Sequence, residues 1–247
     1  MPTHCDFFGA THQGQKRSVN QDRILVRQAE SSDAALLVVA DGMGGEAAGD
    51  RAAELVVGAI ASALGEGLKP NHYFNQLDAM VEASHEAVRA AVNEQPELLS
   101  MGTTLTMACC DWPRLFVVHV GDSRCYRLHK GELTRLTNDH TVAQRFVDEG
   151  VMSEDEAEKS PMAHQLWNVI TSSREIRPER VENQLSTGDA IILCSDGLTK
   201  HVSDEAIAAT IEKADSAKDA CRELIAQANS DGGTDNISVI VGLFTDS

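Results

Sequence analysis

Apolar, β-branched runs that stop on an aspartate constrain this chain more than any other feature. Leu36 to Ala40 is uncharged throughout and leads into Asp41-Gly42-Met43-Gly44-Gly45 ahead of a helical stretch. Ala190 to Cys194 repeats the arrangement with Ser195-Asp196-Gly197. Phe116 to Val120 breaks at Gly121-Asp122-Ser123-Arg124, and Gly232-Gly233-Thr234-Asp235-Asn236 stands directly before the final apolar run. One Asp-Gly pair is most simply a turn. Four aspartates at strand ends are harder to read that way, because a buried strand holds its terminal carboxylate rigidly and glycine lets backbone approach a ligand.

Around these runs, segments of helical period alternate with short strand-like ones, the pattern of a mixed α/β chain. Strands are predicted near 23–27, 35–40, 103–110, 114–120, 124–129, 132–136, 189–195 and 237–244, with Lys130-Gly131 as a hairpin turn. Short connections in the middle favour antiparallel pairing. Helices are predicted over 46–64 and 71–93, and Ala217, Ala220, Cys221, Leu224, Ile225 and Ala228 form one stripe at steps of three and four. Ser203 before Asp204-Glu205 reads as the start of a shorter helix. Strands grouped together, with helix pairs early and late, point to sheets covered by helices rather than to a Rossmann alternation. No linker or repeat divides the 247 residues, so 1–247 reads as a single domain. The polar, poorly periodic stretch 139–175 reads as an insertion lying over its surface.

With 38 acidic against 21 basic residues the formal charge is −17, which argues against broad binding to nucleic acid or anionic lipid. The first thirty residues lack the charged start and apolar run of a secretory signal, and Ala34 to Ala40 is too short to cross a bilayer. A soluble, cytoplasmic protein is therefore expected. The six cysteines follow neither zinc-ligand nor CxxC spacing and read as reduced core residues. If the aspartates converge, two carboxylates about 4 Å apart repel by roughly 4 kcal/mol at an effective dielectric of about 20. Hard divalent cations, Mg²⁺ or Mn²⁺, are the natural neutraliser, and no nearby Cys/His constellation supports zinc instead. Arg17, ahead of Asp22, offers a planar fork of donors suited to phosphate oxygens.

Taken in order, RSVNQD (17–22), VVADGMGG (38–45), MGTTL (101–105), VGDSR (120–124), LTNDHT (136–141), CSDGL (194–198) and GGTDNISV (232–239) resemble the metal-dependent protein phosphatases of the PPM (PP2C-type) family, bacterial type. The resemblance runs from residue 14 to the final strand. It implies an α+β fold, a four-layer α-β-β-α sandwich of two antiparallel sheets flanked by helix pairs, with metals in a cleft at one edge. It also implies an enzyme, a protein-serine/threonine phosphatase that hydrolyses phosphoserine and phosphothreonine monoesters by direct attack of a metal-bridging hydroxide.

In that reading Asp41 bridges two Mn²⁺ or Mg²⁺ ions, Gly42 lends its carbonyl, and Asp196 and Asp235 complete the first ion's shell. Asp122, with Asp196, holds a third, weaker ion. Arg17 grips the phosphate, while Gln21 and Asp22 stand one layer further out. Family members usually carry Glu where this chain has Gln21, which implies weaker occupancy of the second metal or an altered metal preference. Met43 matches bacterial relatives, where eukaryotic ones have a histidine. The insertion corresponds to the family's mobile flap, closed by residues 168–171, with Ser172 where an arginine is often found. His119 reads as a hydrogen-bonded core residue, and His140 as structural before catalytic. The implied partners are phosphorylated proteins opposite a cognate Ser/Thr kinase, met by a monomer, with no nucleic acid and no membrane. The alternative is a catalytically weak, phosphoprotein-binding regulatory module, to which only Gln21 points. Neither a twelve-residue Ca²⁺ loop nor a GxxxxGK[ST] loop is present to support other classes.

Overall fold

A computed structural model describes residues 4–29, 34–65, 67–68, 72–173 and 175–246. Strands β1 (His4–His12), β2 (Asp22–Gln28) and β3 (Ala35–Met43) lead into helices α1 (Glu46–Leu64) and α2 (Tyr73–Glu94). Then come β4 (Gly102–Thr103), β5 (Leu105–Asp111), β6 (Arg114–Val120), β7 (Arg124–His129) and β8 (Glu132–Arg135). Helices α3 (Val142–Asp148) and α4 (Glu154–Glu158) precede β9 (Ile170–Thr171), β10 (Glu179–Gln184) and β11 (Ala190–Cys194). The chain continues through α5 (Asp196–Thr199), α6 (Asp204–Lys213), α7 (Ala217–Ser230) and β12 (Ile237–Thr245).

The strands form two antiparallel sheets. One has the order β1-β12-β11-β7-β8; the other runs β10-β6-β5-β3-β4-β9, with β2 on the free side of β3. Side-chain alternation explains why the central strands are apolar at nearly every position. On β3, Leu36 and Val38 pack under α1 and α2, whereas Ala35, Leu37 and Val39 face the other sheet. On β11 and β12, Ile191, Leu193, Ile240 and Phe244 meet them there, while Ile192, Cys194, Val239 and Val241 turn to α6 and α7. The result is the expected α-β-β-α sandwich with three apolar layers.

The same alternation places the chemistry. Asp41 shares its face with Leu37 and Val39, and Asp22 shares its face with Ile24 and Val26. Both carboxylates therefore point between the sheets at one end, and register sets them directly opposite each other.

Helix signals hold closely. The stripe on α7 is buried as read, and Ser216 and Ser203 cap α7 and α6 by accepting from the backbone N–H of Asp219 and Ala206. Residue 71, the expected first turn of the second helix, lies outside the described residues, as does residue 174 within the insertion.

Three expectations need correction. The strand read as 103–110 is interrupted at Thr104, whose hydroxyl accepts from the Asp41 backbone N–H at 3.0 Å and whose own N–H donates to the Asp41 carbonyl at 2.9 Å. That kink lets Gly42 continue onto β4 while Asp41 stays in the cleft. Strands β1 and β10 had no counterpart in the reading. Both are edge strands, and β10 carries only one apolar residue, Val181, so alternation gave it no signal. The insertion is more ordered than its composition suggests, since Ser153 and Glu156 close a reciprocal capping box on α4.

Candidate metal centre

The elements above deliver five aspartates to one end of the sandwich. Asp41 lies two residues before the end of β3, Asp22 starts β2, Asp196 opens α5 just after β11, Asp235 precedes β12, and Asp122 sits in the turn between β6 and β7. Their mutual effect shows in their proton affinities. Burial first, and then repulsion from Asp22, Asp196, Asp122 and Asp235, drives the Asp41 carboxyl well above the ordinary carboxylate range. Burial likewise lifts Asp22 to about 6, and burial followed by the charge of Asp196 lifts Asp122 to about 8.

Two cations meet this cluster. The guanidinium of Arg17 grips Asp235 with both arms, Nε to Oδ1 at 2.8 Å and Nη2 to Oδ2 at 2.9 Å. The Lys200 ammonium bridges Asp196 Oδ2 at 2.6 Å and Asp235 Oδ2 at 2.9 Å. Burial opposes ionisation of Asp235, but Lys200 and Arg17 outweigh it and hold this carboxyl below its ordinary value. Asp22 Oδ2 accepts from Ser195 Oγ at 2.8 Å. Asp22 Oδ1 and Asp196 Oδ1 are buried and have no hydrogen-bond partner. Buried carboxylate oxygens without donors are costly, and one more cation would satisfy them. The donors on offer are all oxygens, the set that hard divalent ions take. The residues present therefore fit a Mg²⁺ or Mn²⁺ centre.

Residues 8–237 match the family described as Protein phosphatase 2C. The chain belongs to the protein phosphatase 2C family. It is 41% identical over 229 residues to the serine/threonine protein phosphatase PstP of Mycobacterium tuberculosis, covering 91% of this chain and 44% of that one. The chain thus spans less than half the length of that curated relative. A crystal structure of the M. tuberculosis PstP/Ppp phosphatase superposes with a TM-score of 0.89 at 36% identity, over 98% of this chain and 99% of the other. The PstP catalytic domain in complex with two manganese ions superposes with a TM-score of 0.86 at 37% identity, over 98% and 99% of the chains.

Against this protein phosphatase 2C frame, each singled-out residue has a definite place. Gly42 is required by contact, since a Cβ there would strike the carbonyl oxygen of Gly49 on α1. Gln21 uses its amide as a donor, with Nε2 on the Gly45 carbonyl at 2.8 Å, and its backbone N–H donates to Asn236 Oδ1 at 2.9 Å. Met43 is exposed. Arg17 is half-exposed and tied to Asp235, so it is not the solitary surface arginine that its sequence context alone would suggest. All six cysteines are buried, and none is in a disulfide.

The 139–175 segment is pinned at both ends. Asn168 Nδ2 donates to His140 Nδ1 at 2.9 Å and to the Arg177 carbonyl at 2.8 Å, and the Gly121 N–H donates to the same His140 nitrogen at 3.1 Å. Arg124 adds a two-armed contact to Asp139. Anchoring thus comes from Asn168 and His140, upstream of Ser172.

The expectation that no histidine cluster stands near is corrected in part. His119, His140 and Glu179 bring ligand-type atoms within 4.8 Å of one another. These groups are, however, already engaged: His119 contacts Thr106 Oγ1 at 2.9 Å through Nδ1 and the Gly121 and Asn138 carbonyls through Nε2, and Glu179 accepts from the Asn138 N–H. Burial pushes His119 down to about 3 and His140 down to about 4, so both are neutral core groups.

Lys200 escaped the sequence reading altogether. Its signal was its position four residues after Asp196 on a short helix, the spacing at which an acid and a base meet. Asp122, Asp196 and Lys200 also line a cleft of about 910 Å³ together with Glu154 and His164 of the 139–175 segment.

Proposed function

We propose that this chain is a metal-dependent protein serine/threonine phosphatase acting on phosphoserine and phosphothreonine monoesters. The observation that carries the reading is the convergence of Asp22, Asp41, Asp122, Asp196 and Asp235 on one end of the sandwich, with two buried oxygens left unpaired and Arg17 and Lys200 as counter-charge. Family membership supports it, as do relatives named serine/threonine phosphatases.

Two divalent ions, Mn²⁺ or Mg²⁺, would supply Lewis acidity and a water deprotonated near neutral pH for in-line attack on phosphorus. Asp41 would bridge them, Gly42 would lend its carbonyl, Asp196 and Asp235 would complete one shell, and Asp122 with Asp196 would take a third, weaker ion. Asp22 and Gln21 stand behind these ligands. Arg17 is suited to hold the phosphate: its half-exposed planar fork stands beside Asp235, where it would orient the ester and offset charge on the equatorial oxygens. Burial between two sheets keeps the carboxylates fixed, so little reorganisation is needed as charge develops.

The natural substrates are proposed to be proteins phosphorylated by a cognate Ser/Thr kinase, met by a cytoplasmic monomer. Among the described residues no helix is long and apolar enough to cross a membrane. The test is hydrolysis of a phosphothreonine peptide by the full chain during a Mn²⁺ titration. Activity should rise with Mn²⁺ and vanish with a chelator; full turnover after exhaustive chelation would rule out the proposed chemistry.

A further inference from the structure

We propose that Lys200 is a tethered monovalent cation that competes with the divalent ions for Asp196 and Asp235, and so sets how tightly this chain holds metal. The inference rests on the metal-centre reading above. A carboxylate offers about four acceptor positions. On Asp235 they are taken by Arg17 Nε and the Asn236 N–H at Oδ1, and by Arg17 Nη2 and Lys200 Nζ at Oδ2. A divalent ion that joins Asp235 to Asp196 must therefore dislodge one of these donors. Lys200 is the one that already spans both carboxylates, at 2.9 and 2.6 Å, where an ion shared by them would bond.

Position and geometry suit a removable plug. Lys200 follows the four-residue helix α5 directly, so its backbone is fixed while its four-carbon stem can swing. Asp122, Asp204 and Glu205 line the adjoining cleft together with Lys200, so a displaced ammonium has carboxylates to turn to. Arg17 is a poorer plug, because both its arms are committed to Asp235. Lys200 thus stabilises the metal-free cluster, and anything that favours the metal-free form weakens metal binding by mass action.

Lys200→Met keeps the length of the side chain and removes its charge, while Lys200→Arg keeps the charge. Calorimetric titration of Mn²⁺ into the chelator-stripped chain should give a dissociation constant lower by about tenfold or more for Lys200→Met, with Lys200→Arg near the original protein. Melting should show the complementary signature: the metal-free Lys200→Met protein melts lower than the parent, and its rise on adding Mn²⁺ is larger. A Lys200→Met chain that folds only when Mn²⁺ is present would support the proposal in the same way. Unchanged or weaker Mn²⁺ binding in Lys200→Met would overturn it, including the case in which only kcat/KM falls, which would make Lys200 a phosphate-holding group instead. If the parent chain itself bound no Mn²⁺, the metal centre would fail and this inference with it, an outcome separable from the others because Lys200 variants play no part in it.

Discussion

Strand β11 carries an aspartate beside each of its ends, and the two live in opposite circumstances. Asp189, before the strand, is wholly buried and saturated: Arg127 and the Ser186 N–H hold Oδ2 at 2.8 and 2.7 Å, and His129 Nδ1 meets Oδ1 at 2.6 Å. Asp196, after the strand, has Lys200 on one oxygen and nothing on the other, and it faces Asp41 and Asp122 across the cleft. In sequence both are an aspartate next to glycine at the end of an apolar run. The difference is whether the fold supplies enough donors. Where it does, a buried carboxylate is a rivet; where it does not, the deficit is an invitation to a cation.

Exchange of effects is the sharpest consequence. Asp41→Asn and Asp196→Asn should lower turnover by about a thousandfold or more, roughly 4 kcal/mol of transition-state stabilisation, while the metal-free fold holds or gains stability from reduced repulsion. Asp189→Asn should do the reverse: turnover per folded molecule stays near the parent's, but urea unfolding should report a loss of about 3 kcal/mol, because the half-buried Arg127 loses its wholly buried charge partner. Phosphopeptide kinetics beside urea curves would expose any failure of the contrast, most directly if Asp189→Asn proved as inactive as Asp41→Asn.

Legibility in the sequence follows the same division. Strands β3, β6, β11 and β12 were readable because they are covered on both faces, which forces continuous apolar runs. Edge strands β1 and β10 were not, since a charged or mixed edge satisfies the fold equally well. Asp22, Asp41, Asp122, Asp196 and Asp235 could each be picked out at a strand end or before a glycine turn, but their convergence needed the order of motifs as a whole. The Thr104 kink and the bridge that Lys200 makes to Asp235 stayed hidden, because each depends on a partner tens of residues away, although the contact of Lys200 with Asp196 is local.

Acidity offers a milder contrast, between the aspartate cluster and the histidine pair beside it. Asp22 at about 6, Asp122 at about 8 and Asp41, driven well above the ordinary carboxylate range, keep protons in the folded, metal-free chain that the unfolded chain has lost. Their folded values are raised, so their effect is a loss of stability as pH rises through and above the ordinary carboxylate range. His119 and His140, held down to about 3 and 4, refuse protons that the unfolded chain takes below about 6.5, so they cost stability as pH falls from there. Between about pH 6.5 and 8 the carboxylate effect outweighs the fading contribution of the histidines, and metal-free stability should fall. Chelated samples melted across that window should show the decline, and saturating Mn²⁺ should remove it. A metal-free melting temperature that climbed over the same interval would contradict the crowding assigned to Asp122.

The smallest effect concerns Gln21, which lies between the two regimes. It is buried among the carboxylates, yet its amide nitrogen is spent as a donor on the Gly45 carbonyl at the start of α1, where it also sits against Gly49. Gln21→Glu would replace that donor with an oxygen facing an oxygen, which costs about 1 kcal/mol or somewhat more in the absence of metal. The same change adds a negative charge beside Asp22 and Asp41, so a divalent ion should bind a few-fold more tightly and return part of that loss. Urea unfolding of Gln21→Glu with chelator and again with Mn²⁺ therefore has a signed expectation: less stable than the parent without metal, and closer to it with metal. A variant more stable than the parent under chelation would mean that the Gly45 contact contributes nothing. Gln21 would then belong with Asp196, as a group waiting for an ion, rather than with Asp189, as one already satisfied by the fold.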